Sequence, residues 1–273
     1  MSVTNVFRAD PTNAGDWHCA PFRHFDLGET FLDILAWHRK ESSERQPPEA
    51  VTGHVVLGGG GLISRNFHPT MAQLARRRPA LLSLVAWGVG ESEYVDRLGG
   101  LVPPYAGRLP DYMDAFDLIG VRDFGGTPDR RVHWAPCASC MSSVFDRTYP
   151  VTREAVVYEH KRIPVPIEGL DRTSNEGGDL ESKVAFLGSA ELVITNSYHG
   201  AYWATLLGRR VVAIPNMSKM YRFRHPPVIC EAASWRRYAP LAVAYPEALA
   251  ECREATLAFH DKVEAVHADV GRR

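Results

Sequence analysis

The chain has 273 residues, 45% of them hydrophobic, too much for one small core and enough for two closely packed α/β halves. Its 31 Lys and Arg against 32 Asp and Glu leave a net charge of −1 and a pI near 6.8, which excludes the basic surplus of a nucleic-acid protein and makes any phosphate site local. Five scattered cysteines, no run of about 18 apolar residues and no signal-peptide order at the N-terminus predict reduced thiols, no transmembrane segment and a cytoplasmic location.

The first feature is the turn cluster Pro11 to Trp17, read as a loop in which Asn13 and Gly15 suit positive φ and Asp16 is free to accept or cap. Leu27, Phe31, Ile34 and Leu35 fall at helical spacing and predict a helix over Leu27 to Lys40, followed by an exposed connection from Glu41 to Glu49. A strand from His54 to Leu57 runs into Gly58, Gly59, Gly60 and Gly61, where a ligand or another backbone can approach closely. A dinucleotide fingerprint is rejected: Ile63 stands where the third small residue belongs, and no acidic residue follows near the required spacing. Leu81 to Trp87 is a second buried strand, ending in Gly88 and Gly90, and Ala115 to Asp123 a third, ending in Arg122 and Asp123. Such strand ends converge on one crevice in open parallel sheets; the competing reading makes Arg122 and Asp123 a structural ion pair.

His133 with Cys137 and Cys140 could furnish three metal ligands, but a structural zinc site needs a fourth and no second Cys-x-x-Cys exists, so the stretch reads as a loop with two buried thiols. The pattern restarts at Glu154, which divides the chain into residues 1–150 and 151–273. Ala155 to Glu159 is a strand with His160, Lys161 and Arg162 just past its end, and Leu180 to Ala190 is a helix. Leu192 to Thr195 then reads as a buried strand, Asn196 and Ser197 as turn and N-cap, Ala201 onward as a helix stopped at Gly208, and Val211 to Pro215 as the returning strand of a βαβ unit. Here His199 sits where free backbone N–H groups favour an anion; the simpler reading is a capped helix with a histidine in its first turn. Lys219, Arg222 and Arg224 alternate with Met, Tyr and Phe, as a solvated strand face or as the local positive charge an anion needs. Leu249 to Val266 forms a closing helix, and Trp17, Trp87 and Trp203 read as sugar platforms or, more often for such positions, core.

Four motifs occur in order: Asn13-Ala-Gly-Asp16, Val55-Val-Leu-Gly-Gly-Gly-Gly61, Gly120-Val-Arg-Asp123 and Val193-Ile-Thr-Asn-Ser-Tyr-His-Gly200. Together they make the chain resemble the polysaccharide pyruvyl transferase family over about residues 11 to 225. The resemblance implies an α/β, GT-B-like fold, two Rossmann-like domains whose parallel sheets face a central cleft, with the acceptor on the N-terminal side and the donor on the C-terminal side. It implies transfer of the enolpyruvyl part of phosphoenolpyruvate to a sugar or glycan acceptor, ending as a pyruvate ketal, with no metal or further cofactor.

By the same resemblance His199 and Arg122 are the family's histidine and arginine. Many members carry Arg-Leu where this chain has Ser197-Tyr198, so either Lys219, Arg222 or Arg224 replaces that guanidinium or the donor is not phosphoenolpyruvate. The expected site has His199 as acid or phosphate anchor and Asp16 as base. Arg122, Asn196, Ser197, Lys219, Arg222 and Arg224 bind the donor, and Asn13, Gly15, Gly59, Gly60 and Tyr198 line the cleft. The alternatives are a GT-B glycosyltransferase using a nucleotide sugar and a non-catalytic sugar- or anion-binding relative.

Overall fold

A computed structural model of the chain describes residues 2–38, 51–93, 109–125 and 131–270. Those residues form a mixed α/β structure with two parallel sheets, and none of their helices is long and apolar enough to cross a membrane. The first sheet contains β1 (Val3–Phe7), β2 (Phe31–Asp33), β3 (His54–Gly58), β4 (Ser83–Val89), β5 (Leu118–Val121) and β6 (Val132–Trp134) in the order β2-β1-β3-β4-β5-β6. The second contains β7 (Arg153–Glu159), β8 (Arg172–Ser174), β9 (Ala190–Thr195), β10 (Arg210–Ala213) and β11 (Val228–Ile229) in the order β11-β10-β9-β7-β8. In each sheet the second strand lies on one side of the first and the later strands on the other. The strand order therefore reverses at β1/β3 and at β7/β9, where open parallel sheets leave a crevice outside their carboxyl ends. The central strands β3 and β4 are buried at every position, which is why they read as unbroken apolar runs.

The helix expected over Leu27 to Lys40 is instead the edge strand β2 followed by the short helix α2 (Ile34–His38). Pairing of Asn5 with Phe31 and Phe7 with Asp33 draws the segment into the sheet, and the Asn5 Nδ2 donates to the carbonyls of Leu27, Gly28 and Thr30. The exposed connection expected from Glu41 to Glu49 lies outside the described residues. Pro11 to Trp17 is not simply a loop: Asn13 caps the short helix α1 (Ala14–His18), its Oδ1 accepting from the Gly15 and Asp16 N–H groups. Neither Asn13 nor Gly15 has positive φ, so Gly15 is required for another reason, given below.

The remaining long elements are α3 (His68–Arg76), α4 (Leu180–Gly188), α5 (Tyr198–Leu206), α6 (Trp235–Tyr238) and α7 (Ala248–Val270). The helix α5 begins three residues earlier than its composition predicts, because the Ser197 Oγ accepts from the Gly200 N–H and brings Tyr198 and His199 into the first turn. Gly208, at φ 65°, closes it in the left-handed conformation expected of a C-terminal glycine. Residues Ser218 to Tyr221 form a 3-10 turn with Met220 buried, not a solvated strand face.

The closing helix α7 reaches back to the first sheet. Phe259 and Val263 are buried among Val56, Val85, Trp87, Leu118 and Ala135, and Gly120 leaves the gap that the Phe259 ring fills. Trp87 and Trp203 are fully buried core residues, as the commoner reading of them held. Val263→Ala is expected to lower the unfolding free energy by about 2 kcal/mol, read as a shift in urea midpoint without change of slope. A loss within error of zero would show that α7 contributes nothing to the first sheet's core.

Candidate functional site

Loops at the carboxyl ends of strands from both sheets line one pocket of about 280 Å³. The first sheet contributes Arg8, Asn13 and Asp16 after β1, Gly61, Leu62 and Ser64 after β3, Ser92 after β4 and Arg122 after β5. The second contributes His160 and Arg162 after β7, Asn175 after β8, Ser197, Tyr198 and His199 after β9, and Met217 and Lys219 after β10.

Among the described residues Arg122 has the largest unmet hydrogen-bonding demand. It is 3% exposed, and its Nε and Nη2 have no hydrogen-bond partner. Its orientation is set by stacking: the guanidinium carbon lies 3.8 Å from the centroid of the Tyr198 ring, which stacks in turn on Phe223 at 4.7 Å. A side chain at Gly90 would collide with the guanidinium, at 2.6 Å from Nε, so the glycine just after β4 keeps its slot open. Arg122 and Asp123 do not form the structural ion pair. Asp123 Oδ2 accepts from the Glu91 N–H at 2.7 Å, and its Oδ1 is unpartnered. Burial raises the Asp123 pKa against the opposing pull of Arg122.

The imidazole of His199 is 7% exposed and packed between Trp203 and Tyr198, with Nε2 3.5 Å from the Cys137 Sγ. Burial, then the cations Arg122 and Lys219, hold its pKa well below the usual value. An imidazole held below its ordinary pKa is neutral at pH 7, so His199 can serve as the acid only if something in the pocket offsets those cations. Gly15 presses on the ring; a Cβ there would lie 2.7 Å from the His199 Cγ and closer still to Nδ1. Gly200 is likewise required by contact, since a Cβ there would meet the Tyr158 ring and lie 2.6 Å from the Thr195 Oγ1.

Asp16 lines the pocket and accepts from the Asn13 Nδ2 at 2.8 Å. Burial raises its pKa, and Lys219, Arg8 and Arg122 oppose that rise. Asn13 ties the halves together: its Oδ1 accepts from the Asn175 Nδ2 at 3.0 Å, beside the bond from the Ala14 N–H to the Asn175 carbonyl.

Burial and then Arg122 lower the Lys219 pKa to about 8, with Asp16 pulling the other way. Anion affinity is expected to fall as pH rises through about 8, because the protonated amine is the form that attracts an anion. Phosphate binding measured by calorimetry at pH 7 and pH 9 checks this: Lys219→Met should flatten the profile, and an equally steep profile in that variant would assign the titration elsewhere.

Several expected site residues lie elsewhere. Gly59 and Gly60, at φ 78° and 86°, do not line the pocket; they pack against Cys19, and Gly61 is the glycine that faces inward. The Asn196 amide is consumed by backbone, accepting from the His160 N–H and donating to the Ile163 carbonyl, both at 2.8 Å. Arg224 pairs with Glu251 at 3.3 Å and covers the Phe124 ring, and Arg222 is not among the lining residues. Arg8, His160, Arg162 and Asn175 were not assigned to the site from sequence. Only the position of His160 and Arg162 past a strand end signalled them.

His133 lies on β6 with its ring 6.1 Å from that of Phe259, and Cys140 bonds Thr256 through Sγ at 3.4 Å. Burial raises the pKa of both Cys137 and Cys140, the latter to about 11, which fits the reading of two buried thiols. Among the described residues no group of three His, Cys, Asp or Glu side chains is placed to hold a metal ion.

No protein-family model matches the chain, and no curated protein matches it. Among solved structures it is similar to a functionally uncharacterized protein from Klebsiella pneumoniae subsp. pneumoniae NTUH-K2044, with 17% identity over 79% of this chain and 84% of that one and a TM-score of 0.47.

Proposed function

We propose that the chain is a pyruvyl transferase of the polysaccharide pyruvyl transferase type, with a GT-B-like cleft between its two sheets. In this reading it moves the enolpyruvyl group of phosphoenolpyruvate onto hydroxyls of a sugar or glycan precursor. The observation that carries the reading is the buried guanidinium of Arg122, whose Nε and Nη2 have no hydrogen-bond partner and which shares one pocket with the N-terminus of α5 and with Lys219. Leaving such a group unpaired costs free energy that an anion recovers on binding. The α5 N–H groups add a favourable dipole end.

In this reading the phosphate binds Arg122, Lys219 and the first turn of α5. Its charge opposes the cations that depress the His199 pKa, so the imidazole takes up a proton only with the donor bound. Proton transfer from His199 to the methylene carbon creates an electron-poor carbon at C2. A sugar hydroxyl attacks C2, and its proton passes to Asp16, whose raised pKa makes it a better base than an exposed carboxylate. Inorganic phosphate leaves and takes the proton that a second hydroxyl loses as it closes the ketal, and the proton on Asp16 returns through solvent to His199, so one donor and one diol give one ketal and one phosphate.

The test is phosphate release from phosphoenolpyruvate in the presence of a panel of pyranosides and sugar nucleotides, with mass analysis of the product. Acceptor-dependent release with a ketal product supports the proposal. Thermal stabilisation by UDP or GDP and none by phosphoenolpyruvate would replace it with the glycosyltransferase reading.

A further inference from the structure

The turn after β7 is over-determined for a surface connection. The His160 N–H donates to the Asn196 Oδ1 and the Asn196 Nδ2 donates to the Ile163 carbonyl, so one amide brackets both ends of the turn, which its own bond from the Ile163 N–H to the His160 carbonyl closes at 2.9 Å. The Lys161 N–H is held by the Asn175 Oδ1 at 2.7 Å, and Lys161 Nζ reaches the first half at Thr12 and Asp10. Both His160 and Arg162, the residues on either side of Lys161 in this clamped turn, line the pocket.

The His160 ring is also fixed in its proton placement. Its Nδ1 accepts from the Arg162 N–H at 3.2 Å, so the neutral ring carries its proton on Nε2, which is left as a donor. Burial and the neighbouring Lys219, Arg162 and Lys161 lower its pKa to about 4, which keeps the ring neutral at pH 7. Arg8, a further cation on the lining, is already engaged by Asp33 at 2.7 Å and Asp10 at 3.5 Å.

We propose that the His160 to Ile163 turn is the carboxylate-binding arm of the pocket, with the His160 Nε2–H and the Arg162 guanidinium meeting the ligand and Asn196 acting as their positioning residue. The inference rests on the reading of the ligand as phosphoenolpyruvate, whose two anionic groups need two separate sets of donors. Arg122, Lys219 and the α5 N-terminus supply one set. The clamped turn, contributed by a different strand, supplies the other.

Calorimetric titration with phosphoenolpyruvate and with methyl phosphate, which lacks the carboxylate, separates the two arms. Wild type should prefer phosphoenolpyruvate. His160→Ala should weaken phosphoenolpyruvate by about 10-fold or more, the loss of one hydrogen bond to a charged group, and methyl phosphate by less than about 2-fold. His160→Gln, which keeps an N–H near the Nε2 position, should recover most of that loss. Asn196→Ala should reproduce the selective loss without itself touching ligand. Equal weakening of both ligands, or a Gln variant no better than the Ala variant, would overturn the assignment of the arm and leave the donor reading standing. Failure of wild type to bind either ligand would overturn both.

Discussion

Arg122→Met is expected to abolish anion binding while making the empty protein more stable. The wild-type guanidinium is buried with two nitrogens that lack hydrogen-bond partners, and replacing such an incompletely satisfied charge by an apolar chain of similar volume removes a desolvation penalty. A gain of about 1 kcal/mol, roughly 2–4 °C in Tm, is expected together with a loss of at least about 100-fold in phosphoenolpyruvate affinity and turnover. Arg122→Lys should not restore function, because an ammonium cannot stack on Tyr198 as the planar guanidinium does. Differential scanning calorimetry and titration on the same samples check both halves. A destabilised Met variant with unchanged anion affinity would make Arg122 a structural residue.

Gly15→Ala should be nearly as damaging, although it adds one methyl group far from His199 in sequence. The new Cβ would lie 2.7 Å from the His199 Cγ, and neither partner can yield easily: Gly15 is in a capped helix, and the imidazole is wedged against Trp203. Overpacking of this kind costs about 1–3 kcal/mol of stability, and moving the ring by about 1 Å costs on the order of 100-fold in turnover. The diagnostic is a double-mutant cycle. In a His199→Gly background the stability cost of Gly15→Ala should disappear, since the clash has gone. An undiminished cost there would mean that the glycine serves the backbone of α1 and not the ring.

These two residues mark where the sequence is legible and where it stops. The buried strands β3, β4 and β9 are readable because residues covered on both faces form continuous apolar runs. The Ser197 cap and the glycine after α5 are readable because their chemistry is local. The edge strand β2 is not, since its short amphipathic sequence also satisfies a helical period and only pairing with β1 decides between them. Site membership is harder still. Arg224 and Lys219 look equivalent five residues apart, yet Glu251 on α7 claims the former and leaves the latter in the pocket. Asn196 looks like a ligand-binding amide beside a helix N-terminus, but its two hydrogen-bonding groups are spent on the opposing turn. Each of these outcomes depends on a partner distant in sequence, which no local pattern encodes.

The shared cationic pocket would be tested most directly by a crystal structure of the wild-type protein with phosphoenolpyruvate bound. The account predicts the phosphate oxygens within hydrogen-bonding distance of the Arg122 Nε and Nη2 and of the first-turn N–H groups of α5, with Lys219 Nζ on the same group. Phosphoenolpyruvate bound elsewhere, with the Arg122 guanidinium still unpartnered, would contradict it.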